Sequence, residues 1–260
     1  MKSLYPLCHK EPGDEPALND REDKKLHTAF FKDVIDENAS SQILEWTKAQ
    51  KIKVHATLFA ALLQAVRRVI DPDFEEFSAL TAVNFRSSFN PRISKKVLAL
   101  LRTCVSGKFK VDQEENLTEL AKAIHHNLHS QLDQGEHVLN VKVLENRLNR
   151  DISPKELWQR AKFPENTVGV TNLGLLNFSG KYENLELNEL FFVANVEPFI
   201  ESASNVILGT NTFQGKIYLS LWFLEELLSE ELAQKILEEM KRILSNLPSF
   251  TRDCPLISLW

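Results

Sequence analysis

Segments of helical and strand periodicity succeed one another in blocks along this chain, and that order restricts its fold more than any other feature. Ser40 or Ser41 is placed to cap a short helix carrying Ile43, Leu44 and Trp46. From about Thr57, Leu58, Leu62, Val66 and Val69 repeat at near-helical spacing. Residues 77–85 and 98–109 then turn to strand-forming types, with Gly107 a candidate bulge. Leu117, Leu120, Ala121, Ile124, Leu128 and Leu132 restore the helical period, and Gln134-Gly135 reads as its stop. Val138, Val141, Leu144 and Leu148 suggest a further helix. Ser153-Pro154-Lys155-Glu156 then sets a cap, a first-turn proline and a capping-box glutamate in order. Strand character follows at 167–172, 189–196, 205–213 and 216–224, the last two joined by Gln214-Gly215 as a hairpin. Ser229-Glu230-Glu231 opens a closing amphipathic helix with Leu232, Ile236, Met240, Ile243 and Leu244 inward.

Strict alternation of strand and helix would predict a doubly wound parallel sheet. The order α-α-β-β-α-α-α-β-β-β-β-α predicts instead an α+β fold: one lobe, with a mixed, mostly antiparallel sheet covered by helices as a two-layer sandwich. Residues 1–38 are polar and turn-rich (Pro6, Pro12, Gly13, Pro16) and read as a linker or strap. The lobe is expected over 39–247 and a tail over 248–260.

Composition narrows the chemistry. Only 8 of 260 residues are glycine, and neither G-x-G-x-x-G nor G-x-x-x-x-G-K-[ST] occurs, which counts against a phosphate cradle. A formal net charge of -5 removes the footprint of a general nucleic-acid binder. The apolar run around Leu58–Leu63 breaks at Gln64, so no membrane span is expected. Met1–Pro6 lacks an apolar signal region, and the three scattered cysteines (Cys8, Cys104, Cys254) read as reduced thiols of a cytoplasmic protein.

Few residue groups carry chemistry on their own. His125 and His129 fall about 80° and 120° round their helix from Leu117, on its flank, a spacing that suits a metal. No third ligand is identifiable, so no metal site is assigned and a solvated helix edge is the plainer reading. No G-x-S-x-G occurs, and the adjacent carboxylates Glu75-Glu76, Glu225-Glu226 and Glu230-Glu231 read as solvated faces or caps. Two apolar strands end in polar groups. Arg86 closes Ala82-Val83-Asn84-Phe85, either as a solvated strand end or as the partner of a buried carboxylate. Val170-Thr171-Asn172-Leu173-Gly174 puts a hydroxyl and an amide at a strand terminus, where they either donate to a developing oxyanion or shape a turn.

Taken in order, these segments resemble the C-terminal half of the chloramphenicol-acetyltransferase-like acyltransferases. That superfamily includes nonribosomal-peptide condensation domains, plant BAHD enzymes, and the alcohol and phthiocerol-type acyltransferases. The resemblance covers about residues 40–245. It rests on Val54-His-Ala-Thr-Leu-Phe-Ala-Ala-Leu-Leu, on Val-Asn-Phe-Arg through Pro91, on Val-Thr-Asn-Leu-Gly at 170–174, and on Leu219-Ser-Leu-Trp-Phe with Leu-Leu-Ser-Glu-Glu-Leu-Ala at 227–233.

The resemblance implies a CAT-like lobe of an enzyme that moves an acyl group from a thioester, on CoA or a carrier protein, to a hydroxyl or amine. No other cofactor is implied. The general base of such enzymes is the second histidine of an H-H-x-x-x-D-G motif in the other half. His125-His126 is followed by Ser130 and Gln131 where that motif needs aspartate and glycine, so it does not qualify, and Leu221–Glu226 is the degenerate form. The lobe is therefore expected to be catalytically incomplete alone, with an H-H-x-x-x-D-G half or neighbouring domain as partner. The resemblance makes Arg86 an ion-pair partner of that half, and Thr171, Asn172 and Gly174 the substrate or oxyanion side. The alternative is a non-catalytic, condensation-domain-like interaction module.

Overall fold

The computed structural model describes residues 27–70, 72–73, 76–94, 96–99, 101–112, 116–148, 167–194 and 206–247. The strands are β1 (Thr28–Ile35), β2 (Glu76–Asn84), β3 (Arg102–Lys110), β4 (Thr167–Leu175), β5 (Lys181–Tyr182), β6 (Leu185–Glu186), β7 (Val206–Phe213) and β8 (Lys216–Leu224). The described helices are α1 (Glu37–Ala49), α2 (Val54–Ile70), α3 (Leu117–Asp133), α4 (Glu136–Leu148) and α5 (Glu230–Ser245).

Six strands form one sheet in the order β1-β8-β7-β4-β2-β3. Its centre is parallel (β2 with β4, β4 with β7), and the outer pairs β2–β3, β7–β8 and β1–β8 are antiparallel. The mixed, mostly antiparallel sheet expected from the block order is thus present, with helices on one face. Residues 217, 219, 221 and 223 of β8 alternate toward that helical face and join the main core. Helix α2 is buried on nearly every side, from Ala56 to Arg67, because α3 and α5 flank it over the sheet. The opposite face carries Trp222 and Leu224 against Phe192, Ile207 and Leu227.

Local sequence sets several element ends. Ser229 caps α5 by accepting from the Leu232 N–H, as read from the sequence. Gln214 (φ 48°) and Gly215 (φ 77°) are both left-handed, the requirement of a two-residue hairpin turn between β7 and β8. Gly135, just past the Gln134 cap of α3, also has positive φ (76°).

The structure corrects four expectations. Residues 28–35, read as part of a strap, form the edge strand β1. Their alternating pattern is short, and its stability comes from pairing with β8, nearly two hundred residues away in sequence. The cap of α1 is Asp36, whose carboxylate accepts from the Ala39 N–H. Ser40 lies inside that helix, where its buried hydroxyl accepts from Ile217 N–H and donates to Ile35 C=O, bridging the last rung between β1 and β8. Gly107 pairs in register with Ala79 and is no bulge; it leaves room for Asn127, whose Oδ1 would stand 2.5 Å from an added Cβ. Finally, 189–194 pairs with no strand and lies over the second face: Asn211 Nδ2 donates to Leu190 O, and Tyr218 OH donates to Asn188 O. The cap at Ser153, positions 195–196, the stretch 1–26, the tail 248–260, Cys8 and Cys254 lie outside the described residues.

Candidate functional site

Because β2 and β4 run parallel, Arg86 and the Thr171–Gly174 segment emerge at the same end of the sheet. The sequence alone placed them about 85 residues apart. Each is set there by a distinct local device.

Thr171 pairs with Gly209 and Asn172 with Thr210, after which the register slips by one before Leu175 meets Thr212. The slip is a bulge in β4. Gly174 supplies it with a left-handed backbone (φ 74°), and the Asn172 side chain closes it by accepting from the Gly174 N–H at 2.7 Å. The Asn172 Oδ1 is therefore taken up by the turn, while its Nδ2 makes no hydrogen bond among the described residues. Thr171 is half-buried, and its hydroxyl has no hydrogen-bond partner among the described residues. Its neighbour Gly209 cannot carry a side chain, because an added Cβ would lie 2.5 Å from the Trp222 ring.

Arg86 begins a single 3-10 turn (Arg86–Ser88) after β2. Its Nη1 donates to Ser94 O at 3.0 Å and its Nη2 to Val97 O at 2.9 Å. The guanidinium thus braces the β2–β3 loop from inside, and among the described residues it contacts no carboxylate. Phe85 N–H donates to Leu101 O at the base of the loop. Ser88 Oγ lies 2.8 Å from His137 Nε2 on α4, tying the loop to that helix. The Nδ1 of His137 is buried without a partner. The Ser–His contact therefore lacks the third group that would orient the ring for nucleophilic chemistry.

His125 and His129, four residues apart on α3, have ring centroids 4.3 Å apart. Burial, the neighbouring His129 and the nearby Lys53 and His126 all lower the pKa of His125. Among the described residues no group of three or more His, Cys, Asp or Glu side chains converges. Cys104 is a free thiol whose pKa burial raises.

The sequence reading passed over His55. It sits near the start of α2, half-buried, with Nε2 3.2 Å from Thr81 Oγ1 and its ring edge-on to Phe59. Burial pushes its pKa down to about 4, so the ring is neutral at pH 7. Thr81 also lines a crevice with room for about one water molecule, walled by Ser106, Asn127 and Gln131. Nothing in the sequence signals the pairing of His55 with Thr81, since it requires α2 to be laid across β2.

The chain matches, over residues 32–221, the family described as phthiocerol/phthiodiolone dimycocerosyl transferase C-terminus. It belongs to this family. The same fold occurs in polyketide synthase associated protein 5 from Mycobacterium tuberculosis (12% identity, TM-score 0.60, covering 92% of this chain and 56% of that one). It recurs in the epimerization domain from the third module of tyrocidine synthetase B (14%, 0.62, 85% and 48%). A third is the trichothecene 15-O-acetyltransferase from Fusarium sporotrichioides (14%, 0.62, 85% and 47%). No curated protein sequence matches the chain. The chain spans about half the length of these solved structures.

Family membership places the chain with the C-terminal part of phthiocerol/phthiodiolone dimycocerosyl transferases, one of the groups the motifs implied, and the sheet is that of a CAT-like lobe. Arg86 and the Thr171 bulge are brought to one end of this lobe. No helix of the described residues is long and apolar enough to cross a membrane.

Proposed function

We propose that this chain is the C-terminal lobe of an acyltransferase that moves an acyl group from a thioester, on CoA or a carrier protein, to a hydroxyl or amine. A second lobe supplies the histidine base through an H-H-x-x-x-D-G motif that this sequence lacks. The observation that carries the reading is the β4 bulge. It fixes a half-buried Thr171 hydroxyl, free of partners among the described residues, at the end of the parallel strands in a chain of this family. Asn172 and Gly174 shape that site: the turn takes up the Asn172 Oδ1 as an acceptor and leaves its Nδ2 to donate toward substrate.

The chemistry then divides between lobes. The incoming base removes the acceptor proton as the acceptor attacks the thioester carbonyl. The Thr171 hydroxyl donates to the oxyanion, and collapse expels the thiol, which takes the proton back from the base. Arg86 contributes by holding the neighbouring loop with two of its donors, which leaves others for the ion pair to the second lobe that the resemblance implied.

The test is reconstitution with an H-H-x-x-x-D-G lobe, following release of free thiol from acetyl-CoA in the presence of an alcohol or amine. The complex should turn over, and Thr171→Val should lower its rate by about a hundredfold. A tight complex without activity would refute the reading and leave the non-catalytic interaction module in its place.

A further inference from the structure

We infer that the β2–β3 loop is a docking tip for an anionic lipid surface. The first observation is one of charge. Between Phe77 and Val111 the chain carries seven Lys or Arg residues and no Asp or Glu, although its net charge is -5. Of these, Arg92, Lys96 and Arg102 lie in or beside the loop, are exposed, and have no carboxylate partner among the described residues. The second observation is one of shape. Leu98 is 101% exposed, Val97 46% and Phe89 40%, so a protruding apolar point stands among cations.

The protrusion is held in place. Arg86 bonds the carbonyls of Ser94 and Val97, the Val97 N–H turns back to Ser94 O, and Lys96 N–H donates to Ser94 Oγ. With the loop fixed at both ends by Phe85–Leu101 and by the Ser88–His137 contact, the exposure of Leu98 is built in. A convex tip of this kind fits a bilayer, whose headgroups offer negative charge at every position and whose acyl boundary accepts one or two apolar side chains. A protein partner would have to enclose a fully exposed leucine in a matching hollow, whereas a bilayer receives it without one. The inference stands on the loop alone and does not depend on the acyl-transfer reading.

Flotation with phosphatidylcholine vesicles, with and without phosphatidylglycerol, tests it on the intact chain. The protein should float with the anionic vesicles and stay behind with the neutral ones, and added salt should release it. Leu98→Asp should weaken binding at least about tenfold. Arg92→Glu with Lys96→Glu should weaken it by more than about twenty-fold, at about fivefold per cation removed. Leu185→Asp, at another strongly exposed apolar site on the β5–β6 hairpin (74%), should bind as the parent does. Equal binding to both vesicle types, or an unchanged affinity of Leu98→Asp, would overturn the inference. So would self-association in solution that Leu98→Asp abolishes, since the tip would then serve a protein contact.

Discussion

His55 offers a test of the packing between α2 and β2 that requires no partner. Its pKa falls from the ordinary 6.5 to about 4 because burial disfavours the imidazolium. The folded chain therefore binds fewer protons at this site than the unfolded one. Its stability is intact above pH 6.5 and is lost as the pH falls from there toward 4, where the folded form begins to protonate too. Between pH 7.5 and pH 5 this site alone should cost about 2 kcal/mol. Urea denaturation of the parent and of His55→Gln at both pH values isolates that amount, because every other titrating group is common to the two. The variant gives up some stability at pH 7.5 through lost packing on Phe59, and the parent's disadvantage at pH 5 should cancel most of it. If the stability difference between the two proteins is the same at both pH values to within about 0.5 kcal/mol, burial of His55 is not what sets its charge. An NMR titration in which the His55 ring protonates near 6.5 would refute the argument equally.

Ser40→Ala should destabilise the chain by about 2 kcal/mol, read by urea denaturation, since it strips a bridge from the buried Ile217 N–H and Ile35 C=O; amide exchange at Ile217 should quicken with it. Gly107→Ala should cost about 1–3 kcal/mol, because the new methyl meets Asn127 Oδ1, the acceptor for the Gln131 amide that also donates to Ser106 O of β3. Combining it with Asn127→Ala should recover part of that loss, because it removes the clashing Oδ1 while the Gln131–Ser106 bond to β3 remains. Glu239 joins Arg68 of α2 to Arg242 of α5, and its pKa is held down to about 2, chiefly by the Arg242 hydrogen bond. Its contribution is present above pH 4.5 and is lost as the pH falls toward 2, so Glu239→Gln should flatten the acid limb of a thermal-melt profile over that window.

Legibility followed the range of the interactions. The stripe on α3, the Ser229 cap and the Gln214-Gly215 turn are written in adjacent residues, and each was readable because its cause lies within one turn of the chain. β1 was not readable. Eight residues in a polar leader gain their ladder only from β8, and their sequence carries no trace of that partner. The mistaken strand at 189–196 is the converse case: its aromatic residues suit a sheet, but they are used as a cover over Trp222 and Tyr218. The Thr171–Gly174 motif was visible as a polar strand end, whereas the bulge that takes up the Asn172 Oδ1 and leaves Thr171 open depends on the register with β7.

The sequence by itself determined the fold class, the family and the lack of an H-H-x-x-x-D-G motif, because block order and residue identity are local and need no contacts. Tertiary structure alone decided which polar groups remain available. Arg86, expected to pair with a carboxylate on another lobe, commits two of its donors to carbonyls of its own loop, and the half-buried His55 ring is neutral only once α2 lies on β2. Hydrogen-bond satisfaction and desolvation are properties of enclosure, and enclosure exists only after the chain has folded.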